Sequence, residues 1–162
     1  YQGQADWEAI ARVKHHPDVE IPVIGNGDIV DAQGAAMAFD HYGVDGIMIG
    51  RATVGKPWLF KSIRTYLDKG FIPEEPNIAE KVAVAKQHLE KSLEWKGHPR
   101  GIYEMRRHLS NYFKGLPHFK PLRTRLVTSL DEKELHDTLD YIAEKYAHFD
   151  ASKLKSDSFF HY

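Results

Sequence analysis

The chain has 162 residues, of which 42% are hydrophobic and 28% charged, with a formal net charge of −1. That composition supports a packed core and excludes disordered and fibrous classes, and no apolar run approaches the roughly 20 residues a membrane-spanning helix requires. Cysteine is absent, which excludes disulfides, thiolate zinc sites and a cysteine nucleophile within the chain.

The first residues carry no basic-then-apolar leader, and with the missing cysteines this predicts a cytoplasmic protein. Tyr1 stands where an initiator methionine is expected, and helical sequence begins a few residues on, so a truncated chain is expected. Ala5 to His16 is predicted helical, with Trp7, Ile10, Ala11 and Lys14 at helical spacing, Asp6 near the N-terminus and Pro17 as the stop. Ile21-Pro22-Val23-Ile24-Gly25 is predicted as a buried strand running into the turn Gly25-Asn26-Gly27-Asp28. Asp31 is the predicted N-cap of a helix to Tyr42, which Gly43 closes. A second buried strand is predicted over Gly46-Ile47-Met48-Ile49, ending in Gly50-Arg51. Pro57 is expected as the first residue of a helix to Leu67. Both strands are apolar throughout, the pattern of a parallel sheet covered by helices on both faces.

Gly70, Pro73 and Pro76 punctuate the next stretch and mark a domain boundary. Asn77 with Glu80 predicts a capping box opening a helix to Lys96. Further helices are predicted over 102–113 and 122–128, and Ser129 with Glu132 is expected to cap a fourth with Leu135, Leu139, Ile142 and Tyr146 inward. The expected architecture is therefore α/β followed by an all-α bundle, with residues 151–162 as a tail.

Between Lys96 and Arg125 eight basic residues face a single acid, Glu104, for a net charge of +7. Arg100, Tyr103, Arg107, Ser110 and Lys114 share one helical face. Two readings stand: a solvated stripe, or a surface for a polyanion with aromatic and histidine residues interleaved. The strand-end turns are also ambiguous. Glycine-rich turns feeding helices can cradle a phosphate, and Arg51 adds a planar cation, yet such turns also serve merely as tight connections. Two strands fall far short of a complete (β/α)8 barrel of roughly 250 residues. The helical pairs Glu132/His136 and Glu144/His148 do not converge on a core of polar ligands, so no metal site is expected.

The segments Tyr1-Gln2-Gly3-Gln4-Ala5-Asp6-Trp7, Ile21 to Ile29, Asp45 to Ala52 and Gly55 to Phe60 resemble dihydrouridine synthases, and so do Met105 to His108, Tyr112 to Gly115 and Leu122-Arg123. The similarity runs in order to about Phe149, and the B-type bacterial subgroup is favoured. The resemblance implies that residues 1–70 are the C-terminal remnant of an FMN-binding TIM (β/α)8 barrel, carrying strands seven and eight. It implies that residues 77–150 are a helical tRNA-binding domain. Asn26, Gly27, Asp28, Gly50 and Arg51 would then hold FMN on its phosphate and ribityl side. Arg100, Tyr103, Arg106, Arg107, His108, Lys114, Lys120 and Arg123 would face tRNA, with Tyr103, His108 and His118 available to stack on or hydrogen-bond bases. Arg106, at the edge of the core face, has an alternative role in positioning its helix.

The reaction implied is reduction of a tRNA uridine by FMN recharged from NADPH, with a cysteine acid. The family's cysteine, lysine and histidine are expected upstream of Tyr1, so no catalytic residue is assigned here and the chain alone is expected to be inactive. Its uncovered strands are expected to self-associate. Rival readings are another FMN- or phosphate-binding barrel oxidoreductase, a non-enzymatic RNA-binding module, and an interaction domain whose basic stripe prefers a protein.

Overall fold

The computed structural model describes residues 3–151. These divide into two compact units, one of residues up to 53 together with 57–73, the other of 54–56 together with the chain from 74 onward. The expected tail lies, apart from Ala151, outside the described residues.

The first unit begins with α1 (Trp7–Lys14), whose N-cap Asp6 accepts a hydrogen bond from the Ala9 amide at 2.9 Å. Then come β1 (Ile24–Asn26), α2 (Ala32–Asp40), β2 (Gly46–Met48), a single 3-10 turn at Arg51–Thr53 and α3 (Leu59–Lys69). The Asp31 carboxylate caps α2 by accepting from Gly34 N at 2.7 Å. The two strands are parallel, with Ile24, Gly25 and Asn26 opposite Gly46, Ile47 and Met48. Lys14 donates to both carboxylate oxygens of Asp45 at 2.7–2.8 Å, and Asp45 also accepts from Val23 N. The Lys14 ammonium, more than any other neighbour, holds the Asp45 carboxyl below its ordinary range, tying α1 to the start of β2.

The core of this unit is built by Ile29, Ala32, Ala35, Ala38, Val44, Leu59 and Ile63, with Val23, Ile47 and Ile49 packed against it. The small alanines of α2 let that helix lie close to the sheet. Burial on both strand faces, predicted from the apolar runs, is not what forms. Ile24 and Met48 are 57% and 56% exposed, because no layer covers that face among the described residues. The first strand is also shorter than its apolar run. Its ladder extends only as far as β2 can pair with it, and Ile21 lies outside. Pro57 sits in the turn before α3 rather than inside the helix.

In the second unit α4 (Ile78–Lys96), α5 (Arg100–Tyr112), α6 (Lys120–Thr128) and α7 (Glu132–Lys145) form a ring. In it α4 packs on α5 and α7, and α6 packs on the same two helices. Leu89, Ile102, Leu109, Leu126, Leu135, Leu139 and Ile142 are sealed inside. The capping box forms as the spacing predicts, with Glu80 N bound to Asn77 at 2.9 Å and Asn77 N to Glu80 at 2.8 Å. Helix α5 starts two residues before Ile102. Gly101 permits this, since a Cβ there would stand 2.8 Å from the Ser92 carbonyl oxygen of α4. Helix α6 likewise starts at Lys120, because Pro121 in its first turn has no amide that needs a partner. The cap of α7 is Asp131, not Ser129: Asp131 accepts from Glu134 N, while the Ser129 hydroxyl donates to the Glu134 carboxylate at 2.7 Å.

Candidate functional site

Parallel pairing brings the carboxyl ends of β1 and β2 side by side, and the turns after them meet. Arg51 Nη2 donates to Asp28 Oδ1 at 3.1 Å, and the other Asp28 oxygen accepts from Ala5 N at 2.7 Å. Asp28 adopts a left-handed backbone, φ 52°, which aspartate tolerates better than most residues. Gly27 has φ 133°, and a Cβ on it would come within 2.4 Å of the Ala5 Cβ. The Trp7 indole N–H donates to the Gly27 carbonyl at 3.0 Å, and its ring lies where a Gly25 Cβ would have to go. Residues 5–7 therefore back the first turn from behind. The second turn differs. Among the described residues a Cβ on Gly50 would meet nothing within 4 Å, and its carbonyl is occupied by the Thr53 hydroxyl at 2.7 Å and amide at 3.1 Å. The Arg51 side chain is half exposed, with its guanidinium aligned by the Asp28 carboxylate.

In the second unit the basic segment is distributed over α5 and α6. Arg100 and Lys96 both pair with Glu104, at 3.0 and 3.1 Å, and these two bonds hold the Glu104 carboxyl below its ordinary range, that to Arg100 foremost. Arg107, Lys120, Arg123 and Arg125 are exposed and have no ion pair among the described residues. Lys114 is exposed at the end of α5. Arg106 is half-buried; its guanidinium donates to the Thr128 carbonyl at the end of α6 at 3.3 Å and lies 4.7 Å from the centre of the half-exposed Tyr103 ring. That geometry agrees with its alternative role as a residue that positions helices.

His108 does not stand alone. Its ring meets that of His88 on α4 edge-on, with centroids 4.7 Å apart, and His88 Nδ1 is hydrogen-bonded to the Tyr112 hydroxyl at 3.1 Å. Burial pushes the Tyr112 phenol up to about 12 and lowers both imidazoles, with His88 and Arg107 lowering His108 further. Both histidines are therefore neutral at pH 7. No cluster of three or more His, Cys, Asp or Glu suited to a metal occurs among the described residues, and no helix there is long and apolar enough to cross a membrane.

A family model described as dihydrouridine synthase matches residues 1–148. The chain belongs to the dihydrouridine synthase family. It is 42% identical over 123 residues to a probable tRNA-dihydrouridine synthase of Rickettsia conorii, covering 76% of this chain and 37% of that protein. A probable tRNA-dihydrouridine synthase 1 of Synechocystis is 37% identical over 140 residues, covering 86% of this chain and 39% of the relative. A probable tRNA-dihydrouridine synthase of Mycobacterium tuberculosis is 38% identical over 143 residues, 86% of this chain and 36% of the relative. The chain thus spans little more than a third of the length of these bacterial relatives.

In this member of the dihydrouridine synthase family, Asp28 and Arg51 of the expected cofactor set are bonded to each other, Gly27 and Gly50 lie in the same two turns, and Asn26 is the last residue of β1 rather than part of the turn. Tyr103, Arg106 and Arg107 fall on one helix, with Lys120 and Arg123 on the next. Two features escaped the sequence reading. Trp7 and Ala5 support the first turn, although Trp7 reads only as a helical core residue. Glu104 neutralises Arg100 at i, i+4, a spacing that was legible beforehand.

Proposed function

We propose that the chain forms part of a flavin-dependent tRNA-dihydrouridine synthase. In this reading the first unit is the closing part of a TIM barrel that holds FMN, and the second unit binds tRNA. The observation that carries it is the meeting of Asn26–Asp28 with Gly50–Arg51 at the carboxyl ends of adjacent parallel strands, joined by the 3.1 Å Arg51–Asp28 bond. Ligands of parallel α/β proteins bind at that end of the sheet, and barrels place phosphates on their last two loops. The donor set fits a phosphate monoester: a half-exposed guanidinium, and a glycine with open space where its side chain would be. Asp28 would otherwise repel such an anion, but both of its oxygens already accept bonds from within the unit. Asn26, Gly27, Asp28, Gly50 and Arg51 would hold the phosphate and ribityl side, Asp28 by aligning the Arg51 guanidinium. FMN, when bound and recharged by NADPH, supplies the hydride that reduces the uridine double bond.

The second unit contributes Arg107, Lys120 and Arg123, which have no ion pair among the described residues. Arg107, Lys120 and Arg123, with Lys114, can follow a phosphate backbone, and each phosphate contact adds salt dependence to the binding. Assignment to the B-type subgroup rests on the sequence motifs. On the barrel reading, the open face of Ile24 and Met48 is the surface that further strands cover, and the chain taken by itself should self-associate through it; a monodisperse monomer in sedimentation velocity would count against this. The central test is flavin retention through dialysis in the full-length protein, with Arg51→Ala beside the unaltered sequence. A tenfold or greater loss is expected for a charge-assisted bond worth about 1.5–3 kcal/mol; unchanged retention removes the two turns from the cofactor site.

A further inference from the structure

Trp95, in the last turn of α4, is 84% exposed and is the barest of the large apolar side chains described. Isolated exposed apolar residues are ordinary on protein surfaces, but three observations set this one apart. It is held on a rigid corner: Gly97 N closes the helix onto Leu93 O at 2.8 Å, and His98 Nε2 donates to the Leu130 carbonyl of the α6–α7 loop at 2.9 Å. A cation backs the ring, with Lys96 Nζ 5.1 Å from its centroid and steadied by Glu104 at 3.1 Å. Finally, Tyr103 near the start of α5 repeats the arrangement, half-exposed and backed by the Arg106 guanidinium. The neighbouring acids are engaged, since Glu94 binds Lys91 and Glu104 binds Lys96 and Arg100.

We propose that Trp95, in the last turn of α4, and Tyr103, near the start of α5, each offer a stacking face for unpaired nucleobases of RNA. Each ring is flat, rigid and sided by a cation, and every nucleobase offers a π-face to it regardless of sequence. A polyanionic partner is favoured over a protein one because Arg107 on α5 and Arg123 and Arg125 on α6, in the same unit, lack acidic partners among the described residues. The inference rests on the tRNA-binding reading above and adds to it a second kind of contact. Phosphates would be gripped by α5 and α6, and exposed loop bases by the two aromatic rings.

The test compares the parent protein with Trp95→Ala and Trp95→Phe against a tRNA transcript, a short single-stranded oligouridylate and a fully paired RNA duplex. Because Trp95 is solvent-exposed, both variants should melt like the parent. Trp95→Ala should bind tRNA and oligouridylate at least about fivefold more weakly, with duplex affinity and the salt slope unchanged, and Trp95→Phe should recover most of the loss. Undiminished tRNA binding by Trp95→Ala overturns the stacking role while leaving the tRNA reading intact. An equal loss on the duplex also overturns it, because stacking on unpaired bases is then not what was removed. If the parent binds none of the three RNAs, both readings fall together.

Discussion

Replacing Gly27 by alanine should disable the first strand-end turn, and the structure sets the scale. The new Cβ would stand 2.4 Å from the Ala5 Cβ, whereas carbon atoms in contact settle at about 3.5–4.0 Å. Ala5 would have to retreat by roughly an ångström or more, yet its amide is bound to Asp28 at 2.7 Å and the neighbouring Trp7 indole to the Gly27 carbonyl at 3.0 Å. Backbone strain at a φ of 133° adds about 1–3 kcal/mol, and overpacking adds about 1–3 kcal/mol more. The sum, about 2–6 kcal/mol, is a large part of the 5–15 kcal/mol that typically holds a domain together. Thermal unfolding should therefore drop by many degrees, and hydrogen exchange at the Ala5 amide and the Trp7 indole should lose its protection. A Gly27→Ala protein that melts like the parent, with both protons still protected, refutes the reasoning that residues 5–7 back this turn.

Gly50→Ala provides the contrast: with nothing within 4 Å of the new methyl it should fold normally yet lose FMN on dialysis, and normal flavin retention would show that no ligand approaches there. Arg107→Ala combined with Arg123→Ala should weaken tRNA binding and lower its log–log salt slope by about 1.4–1.8, since two fewer phosphates are neutralised; an unchanged slope would make this face a solvated surface. Asp137→Lys on α7, where Asp137 only pairs with Lys133, should not weaken tRNA binding. His88 and His108 have folded pKa values below the ordinary 6.5, chiefly through burial, so the unfolded chain binds more protons near that pH. The stability they confer is complete above about pH 6.5 and is lost as pH falls through it toward their folded values; a melting temperature that does not fall between pH 7.5 and 5.5 in the parent relative to His88→Gln/His108→Gln would contradict this.

What the sequence by itself determined is most of what depends on neighbours within a few residues, although the start of α3 and the cap of α7 fell elsewhere than local pattern put them. The caps at Asp6, Asp31 and Asn77 and the inward stripe of α7 formed where local hydrogen bonding and 3.6-residue periodicity put them, while α2 ended at Asp40, two residues short of the expected Tyr42. The family, too, was legible, because its motifs are short and contiguous. Contacts between distant segments were not. Nothing in the order of residues says that Asp28 reaches Arg51 or Ala5, that Trp7 lies under Gly25 and Gly27, or that His88 meets His108. Nor could apolar composition tell that only one strand face is covered, for Ile24 and Ile47 look alike in sequence and differ only in what packs on them. Tertiary structure decided these points because a side chain's charge, burial and freedom are set by the groups folding brings against it. The Arg106 guanidinium, read from sequence either as an RNA contact or as a residue that positions its helix, donates to the Thr128 carbonyl because α6 ends beside it.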